Sequence, residues 1–204
     1  KSFVGRDPLG CVLIIAPWTS PGGFRLAPLV GAIAAGNAVV LKPSEVTAHT
    51  SAIRAELLPK YMDPDAITIV EGGVPETSAL LEQRFDHIMY TGNGNVAKVV
   101  MAAAAKHLTP VTLELGGKSP CIVDRTADIA VTARRIAWGK FMNAGQTCIA
   151  PDYVLADESI EEELISELKK SVEQFYSGET ENNADYTRIV NERHHERVSK
   201  LMVG

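Results

Sequence analysis

Five short apolar runs alternate with helix-like stretches in the first 115 residues, and that rhythm restricts the fold more than any other feature. Residues 11–15 (CVLII) are apolar at every position, the mark of a strand covered on both faces. Residues 38–41 (AVVL), 66–70 (AITIV), 87–90 (HIMY) and 110–115 (PVTLEL) read as the next four strands. Between them, Pro28 is expected to open a helix through Ala35, with Gly36 as its C′ stop. Thr47 is expected to cap a helix running to about Lys60, and an Ala-rich helix is expected from about Val96 to Lys106. Strand, helix, strand at this spacing predicts an α/β fold, a parallel sheet with helices on both faces.

The pattern loosens after Gly116-Gly117, which places a domain boundary there, with residues 1–115 before it and residues 116–204 after it. Residues 121–123 and 153–155 read as strands, and residues 128–141 as a helix burying Ile129, Ala133, Ile136 and Ala137. A helix over 159–176 carries the stripe Ile160, Leu164, Leu168, Val172 and Phe175, with Ser159 and Glu162 as its expected capping box. Glu161-Glu162-Glu163 reads as a solvated first turn, favourable to the helix dipole. A last helix is expected to end at Met202.

Of the 204 residues 46% are apolar and the net charge is −5, so a wholly disordered chain is excluded and a general nucleic-acid binder is disfavoured. The longest uncharged stretch, residues 26–41, is too short to span a bilayer and holds Pro28, Gly31, Gly36 and Asn37. Cysteines at 11, 121 and 148 form no C-x-x-C pair, which predicts a reducing, cytoplasmic setting. The histidines, including the adjacent His194 and His195, form no metal-ligand set. The chain starts at Lys1 without Met or signal peptide, and is expected to be either processed or a piece of something longer.

Three constellations bear on chemistry. Gly92-Asn93-Gly94-Asn95-Val96-Ala97 fits G-x-G-x-x-A between a predicted strand and helix, with Glu114 twenty residues past Gly94. Locally this reads as a dinucleotide site with Glu114 on the ribose, or equally as a Gly/Asn turn. Gly116-Gly117-Lys118-Ser119 suggests a P-loop, but Thr112 stands where that motif needs glycine. Cys148 ends the loop Asn143-Ala144-Gly145-Gln146-Thr147-Cys148, whereas Cys11 and Cys121 read as small buried hydrophobes. A thiol of pKa ~8.5 is only about 3% thiolate at pH 7, so a nucleophilic Cys148 needs local donors or positive charge.

Several segments together resemble the aldehyde dehydrogenase family: residues 14–18 (IIAPW), 35–45 (AGNAVVLKPSE), 90–92 (YTG), 113–120 (LELGGKSP) and 145–148 (GQTC). Their order and spacing also match, including the 34 positions from Glu114 to Cys148. Residues 149–154 (IAPDYV) and the later Arg188-Ile189-Val190-Asn191 with His194 resemble the class 3 branch, which acts on fatty and aromatic aldehydes. The resemblance implies a Rossmann-like sheet, lacking its N-terminal helices, followed by the first part of an α/β catalytic domain. It implies oxidation of an aldehyde to its acid with NAD(P)+. Cys148 would be the nucleophile, passing through a thiohemiacetal and a thioester, and Glu114 would activate the hydrolytic water.

The same resemblance moves the ribose from Glu114 to Lys42 and Glu45. It sets Pro17, Trp18, Thr91, Gly92, Asn93 and Val96 along the cofactor, and Leu115 and Gly116 beside the nicotinamide. Glu45 would repel a 2′-phosphate, so NAD is preferred, with NADP the alternative. A homodimeric parent is implied, and any membrane attachment would reside in a C-terminal tail. Thr19 stands where the family has an oxyanion asparagine, and Ala97 where a glycine is usual. The alternative to an active enzyme is a catalytically impaired nucleotide-binding relative or fragment, because of Thr19 and the missing C-terminal part. In such a fragment the 26–35 helix and the surroundings of Cys148 are expected to expose apolar surface.

Overall fold

The computed structural model describes residues 2, 4, 5, 7–177 and 180–203. Contacts divide the chain into two compact units, Lys1–Gly116 and Gly117–Gly204.

In the first unit, β1 (Cys11–Ile15), β2 (Ala38–Lys42), β3 (Ile67–Ile69), β4 (His87–Thr91) and β5 (Val111–Glu114) form one parallel sheet in the order β3-β2-β1-β4-β5. The connecting helices are α1 (Gly23–Ala34), α2 (Ala48–Tyr61), α3 (Val74–Leu81) and α4 (Gly94–Ala105). Side chains alternate across the strand, so β1 serves two cores. Val12 and Ile14 pack with Leu29 of α1 and Leu58 of α2. Leu13 and Ile15 face the other way, with Leu81 of α3 and Val100 of α4. The expected parallel sheet with helices on both faces is present.

Local signals succeeded and failed for identifiable reasons. Gly36 ends α1 as expected: at φ +83° its N–H reaches the Ile33 carbonyl (2.8 Å), and the Asn37 N–H reaches the Ala32 carbonyl (3.0 Å). The helix does not open at Pro28, however. It begins at Gly23, and Pro28 lies inside it. A proline is commonest in the first turn, which made position 28 a misleading start signal. Leu26, Val30 and Ile33 leave α1 with an exposed apolar face, as expected.

Thr47 is the N-cap residue of α2, as expected, but its side chain makes no capping hydrogen bond. A 3-10 turn (Glu45–Thr47) precedes the helix, Ser44 Oγ accepts the Val46 N–H (3.3 Å), and the Thr47 hydroxyl donates back to the Ser44 carbonyl (3.4 Å). Helix α3 had no counterpart in the sequence reading. It is held at its start by Glu76, whose carboxylate accepts the Gly73 N–H (2.7 Å). A bond to its own N–H, with the one to Gly73, holds the Glu76 carboxyl below the ordinary range, and nearby Lys42 adds to the effect.

The second unit pairs β6 (Ser119–Val123) in parallel with β7 (Pro151–Ala156). Helices α5 (Ile129–Phe141) and α6 (Glu161–Phe175) cover it, burying Val123, Ile129, Ala133, Ile136, Ile160 and Leu164. Asp128 caps α5 through the Val131 N–H (3.1 Å). The Ser159–Glu162 capping box does not form. Asp157 takes the role, accepting the Ser159 N–H (3.0 Å) and hydroxyl (2.6 Å) ahead of a 3-10 turn. The last helix, α7 (Glu192–Ser199), ends short of Met202. Cys11 and Cys121 are half-buried where full burial was expected: Cys11 is the first residue of β1, ahead of its buried stretch, and Cys121 lies on β6, where exposed and half-buried residues alternate.

Candidate active site

Ligands of open parallel sheets bind beyond the carboxyl ends of the strands, where the strand order reverses. Here the reversal falls between β1 and β4. Pro17, Trp18 and Thr19 follow β1 directly, all half-buried. Strand β2 ends in Lys42, which is 2% exposed and donates from Nζ to the Pro43 carbonyl (2.6 Å). Glu45, exposed, opens the 3-10 turn three residues later.

Strand β4 ends in the buried Thr91, paired in register with Glu114 at the end of β5. The Gly92 N–H continues that pairing to the Glu114 carbonyl (2.9 Å), so the two motifs that contain these residues meet at one sheet edge. Glu114, Leu115 and Gly116 are exposed there. Gly92 is dictated by its neighbour: a Cβ would lie 2.6 Å from Cζ of Tyr90. Tyr90 Oη donates to the Asn93 carbonyl (3.1 Å), which fixes the turn. Burial pushes the Tyr90 phenol up, partly offset by that bond.

Asn93 then starts α4, its Oδ1 accepting the Val96 N–H (3.0 Å), and Val96 is 38% exposed on the first turn. A helix N-terminus behind a glycine turn suits an anionic phosphate, while Lys42 supplies a cation and Glu45 an acceptor for hydroxyls. This donor set fits a ligand carrying both diphosphate and ribose.

In the second unit, α5 runs into a tight segment, Met142–Gly145, before Cys148. Asn143 (φ 54°) and Ala144 (φ 54°) are left-handed without being glycine, and Gly145 (φ 74°) continues the bend. Such backbone costs roughly 1–3 kcal/mol per residue and persists only where surroundings enforce it. The enforcement comes from side chains. Asn143 Nδ2 donates to the Gln146 carbonyl (3.1 Å), and Gln146 Nε2 donates to the Asn143 carbonyl (2.9 Å).

Gln146 also reaches across the chain. Its Nε2 donates to the Arg188 carbonyl (3.2 Å), and its Oε1 accepts the Val190 N–H (3.0 Å). Beside this loop lies a cavity of about 350 Å³, lined by Ala144, Tyr186, Arg188, Asn191 and His195 among others. Cys148 is half-buried. Its carbonyl oxygen sits 2.7 Å from where a Cβ on Gly117 would be, so only glycine permits this approach. Asp152 pairs with Lys118 (3.0 Å) and, more loosely, with Lys140 (4.0 Å).

Two residues were not singled out from sequence. Gly117 stood inside a failed P-loop match, and its double-glycine context was the only available signal. Gln146 lay in a quoted motif, but its partners are 42 and 44 residues away.

A model of the aldehyde dehydrogenase family matches residues 1–203. The rat protein "Aldehyde dehydrogenase, dimeric NADP-preferring" is 58% identical over 200 residues, covering 98% of this chain and 44% of its own length. Mouse "Aldehyde dehydrogenase family 3 member A2" is 56% identical over 204 residues, covering all of this chain and 42% of its own. Among solved structures, the substrate-bound state of Staphylococcus aureus AldH is similar at a TM-score of 0.89 and 46% identity, over 97% of this chain and 43% of that one. Mycobacterium tuberculosis aldehyde dehydrogenase complexed with NAD+ is similar at 0.87 and 29%, over 97% and 42%. The chain thus spans under half the length of the relatives it matches.

Proposed function

The chain belongs to the aldehyde dehydrogenase family, and on that premise we propose that the protein oxidises medium- or long-chain aliphatic or aromatic aldehydes to carboxylic acids with NAD(P)+. What supports the reading is a family match that takes in both Cys148 and Glu114, together with the strained, tightly tied loop that presents the thiol. The relatives named aldehyde dehydrogenases support an aldehyde substrate. The rat relative is named dimeric, which supports a homodimer. Three free cysteines suit the cytoplasm.

In this reading Cys148 attacks as the thiolate, forming a C–S bond to the aldehyde carbon while the carbonyl oxygen takes the negative charge. The Cys148 N–H and the Thr19 hydroxyl are the donors proposed for that oxygen. A nicotinamide cofactor held beside Leu115 and Gly116 would supply the hydride acceptor that the oxidation of the aldehyde carbon to the acyl level requires. The Glu114 carboxylate then removes a proton from water as the water adds to the Cys148 thioester. Collapse breaks the C–S bond and returns the thiolate.

Thr91, Gly92, Asn93, Val96, Pro17 and Trp18 line the cofactor in this proposal. Lys42 and Glu45 hold ribose hydroxyls, and Leu115 with Gly116 borders the nicotinamide. Splitting the oxidation into thiol addition and thioester hydrolysis replaces one difficult step with two easier ones. The test is formation of reduced cofactor from a medium-chain and an aromatic aldehyde, in the parent protein and in Cys148→Ser. The serine variant is expected to be inactive. Equal rates in the two proteins would remove Cys148 from the chemistry.

A further inference from the structure

We propose that Gln146 is the positioning residue of the Cys148 loop, locking it onto the 188–190 segment, an inference that rests on the nucleophilic role of Cys148. The Gln146 carboxamide is used at both ends. Nε2 donates to two carbonyls, those of Asn143 (2.9 Å) and Arg188 (3.2 Å), while Oε1 accepts the Val190 N–H (3.0 Å). Carbonyls on one side and an N–H on the other fix the orientation of the amide, because the flipped form would oppose like with like.

One contact is local and two are distant, so a single side chain closes the left-handed turn at Asn143 and Ala144 and anchors it to another segment. Gln146 lies two residues from Cys148 in sequence, and the backbone between them runs through Thr147, whose carbonyl accepts the Ala150 N–H (3.2 Å). The anchored segment is itself held. Tyr186 stacks edge-on against Tyr176 after α6 (5.1 Å) and lies 6.4 Å from Phe141 at the end of α5. Gln146 therefore links the thiol loop to a braced wall through two hydrogen bonds of one side chain.

Two variants separate the two ends of the amide. Gln146→Leu keeps the bulk and removes every bond. Gln146→Glu retains an acceptor for Val190 but sets a carboxylate against the Asn143 and Arg188 carbonyls. The readout is site-resolved iodoacetamide alkylation by peptide mass spectrometry, with Cys121 on β6 as the control in the same unit. Hydrogen exchange at the Val190 amide is followed in parallel.

Both variants are expected to alkylate Cys148 at least about fivefold faster than the parent, with Cys121 within about twofold. Val190 should lose protection in the leucine variant and keep most of it in the glutamate variant. Cys148 rates within twofold of the parent in both variants would overturn the proposal. So would a rise at Cys121 equal to that at Cys148. These readouts need no aldehyde turnover, so an inactive parent would refute the proposed function while leaving this inference to stand or fall on its own.

Discussion

The ring of Tyr90 occupies the space that a side chain on Gly92 would need, with Cζ only 2.6 Å from the Cβ position, and its hydroxyl holds the Asn93 carbonyl at 3.1 Å. The glycine, the tyrosine and the turn into α4 are therefore one unit. Tyr90→Phe should cost about 0.5–1.5 kcal/mol, the value of one hydrogen bond. Gly92→Ala should cost about 1–3 kcal/mol by overpacking, and should also weaken NAD(P)+ binding because the turn shifts. Urea unfolding and cofactor titration check both. An alanine variant as stable as the parent would refute this packing account.

Glu45 is exposed at the end of β2, where the proposal seats a ribose. Its charge opposes a 2′-phosphate by ~1 kcal/mol at about 4 Å in water. Glu45→Gln should therefore shift the ratio of Kd values roughly fivefold towards NADP+. An unchanged ratio would place the ribose elsewhere.

Thr19, half-buried after β1, stands at the oxyanion-asparagine position. One missing donor of this kind costs about 10²–10³ in rate. Thr19→Asn should raise kcat, by up to about 10², and Thr19→Val should lower it if the hydroxyl serves as donor. Steady-state kinetics on both variants decide whether the hydroxyl takes part. Identical kcat values in threonine, asparagine and valine forms would remove residue 19 from catalysis.

His87 Nε2 lies 3.0 Å from Thr112 Oγ1 between β4 and β5, and burial holds its pKa below the ordinary value. The unfolded chain binds this proton near pH 6.5, so the contribution of His87 to stability is complete above that pH. It is lost as pH falls from there through the lowered folded value. The urea midpoint should drop between about pH 7.5 and about pH 5.5, and His87→Gln should drop less. An equal drop in the glutamine variant would exclude His87 as the cause.

Much of the fold was legible because its signals are local. The apolar run of β1, the Gly36 stop and the α5 stripe of Ile129, Ala133, Ile136 and Ala137 each depend on residues close in sequence. The start of α1 was not legible, since a proline accepted inside the helix looks like one that opens it. The side-chain caps expected at Thr47 and Ser159 form instead at Ser44 and Asp157, three and two residues earlier, each on a 3-10 turn. Ser44 and Asp157 compete with Thr47 and Ser159 for the same first turn, and a 3-10 turn decides between them. In the site, the position of Glu114 on the last strand followed from the β runs, while β4 runs one residue past the expected 87–90 to take in Thr91. The tie from Gln146 to Arg188 and Val190 did not, because no local pattern encodes a contact across more than 40 residues.

The division of labour between Cys148 and Glu114 is tested most directly by trapping the acyl enzyme. Glu114→Gln is mixed with an aliphatic aldehyde and NAD(P)+, then quenched and mapped by peptide mass spectrometry. The account predicts an acyl group on Cys148, a burst of reduced cofactor near one equivalent, and little turnover afterwards. Steady turnover at the parent rate, with Cys148 unmodified, would contradict it.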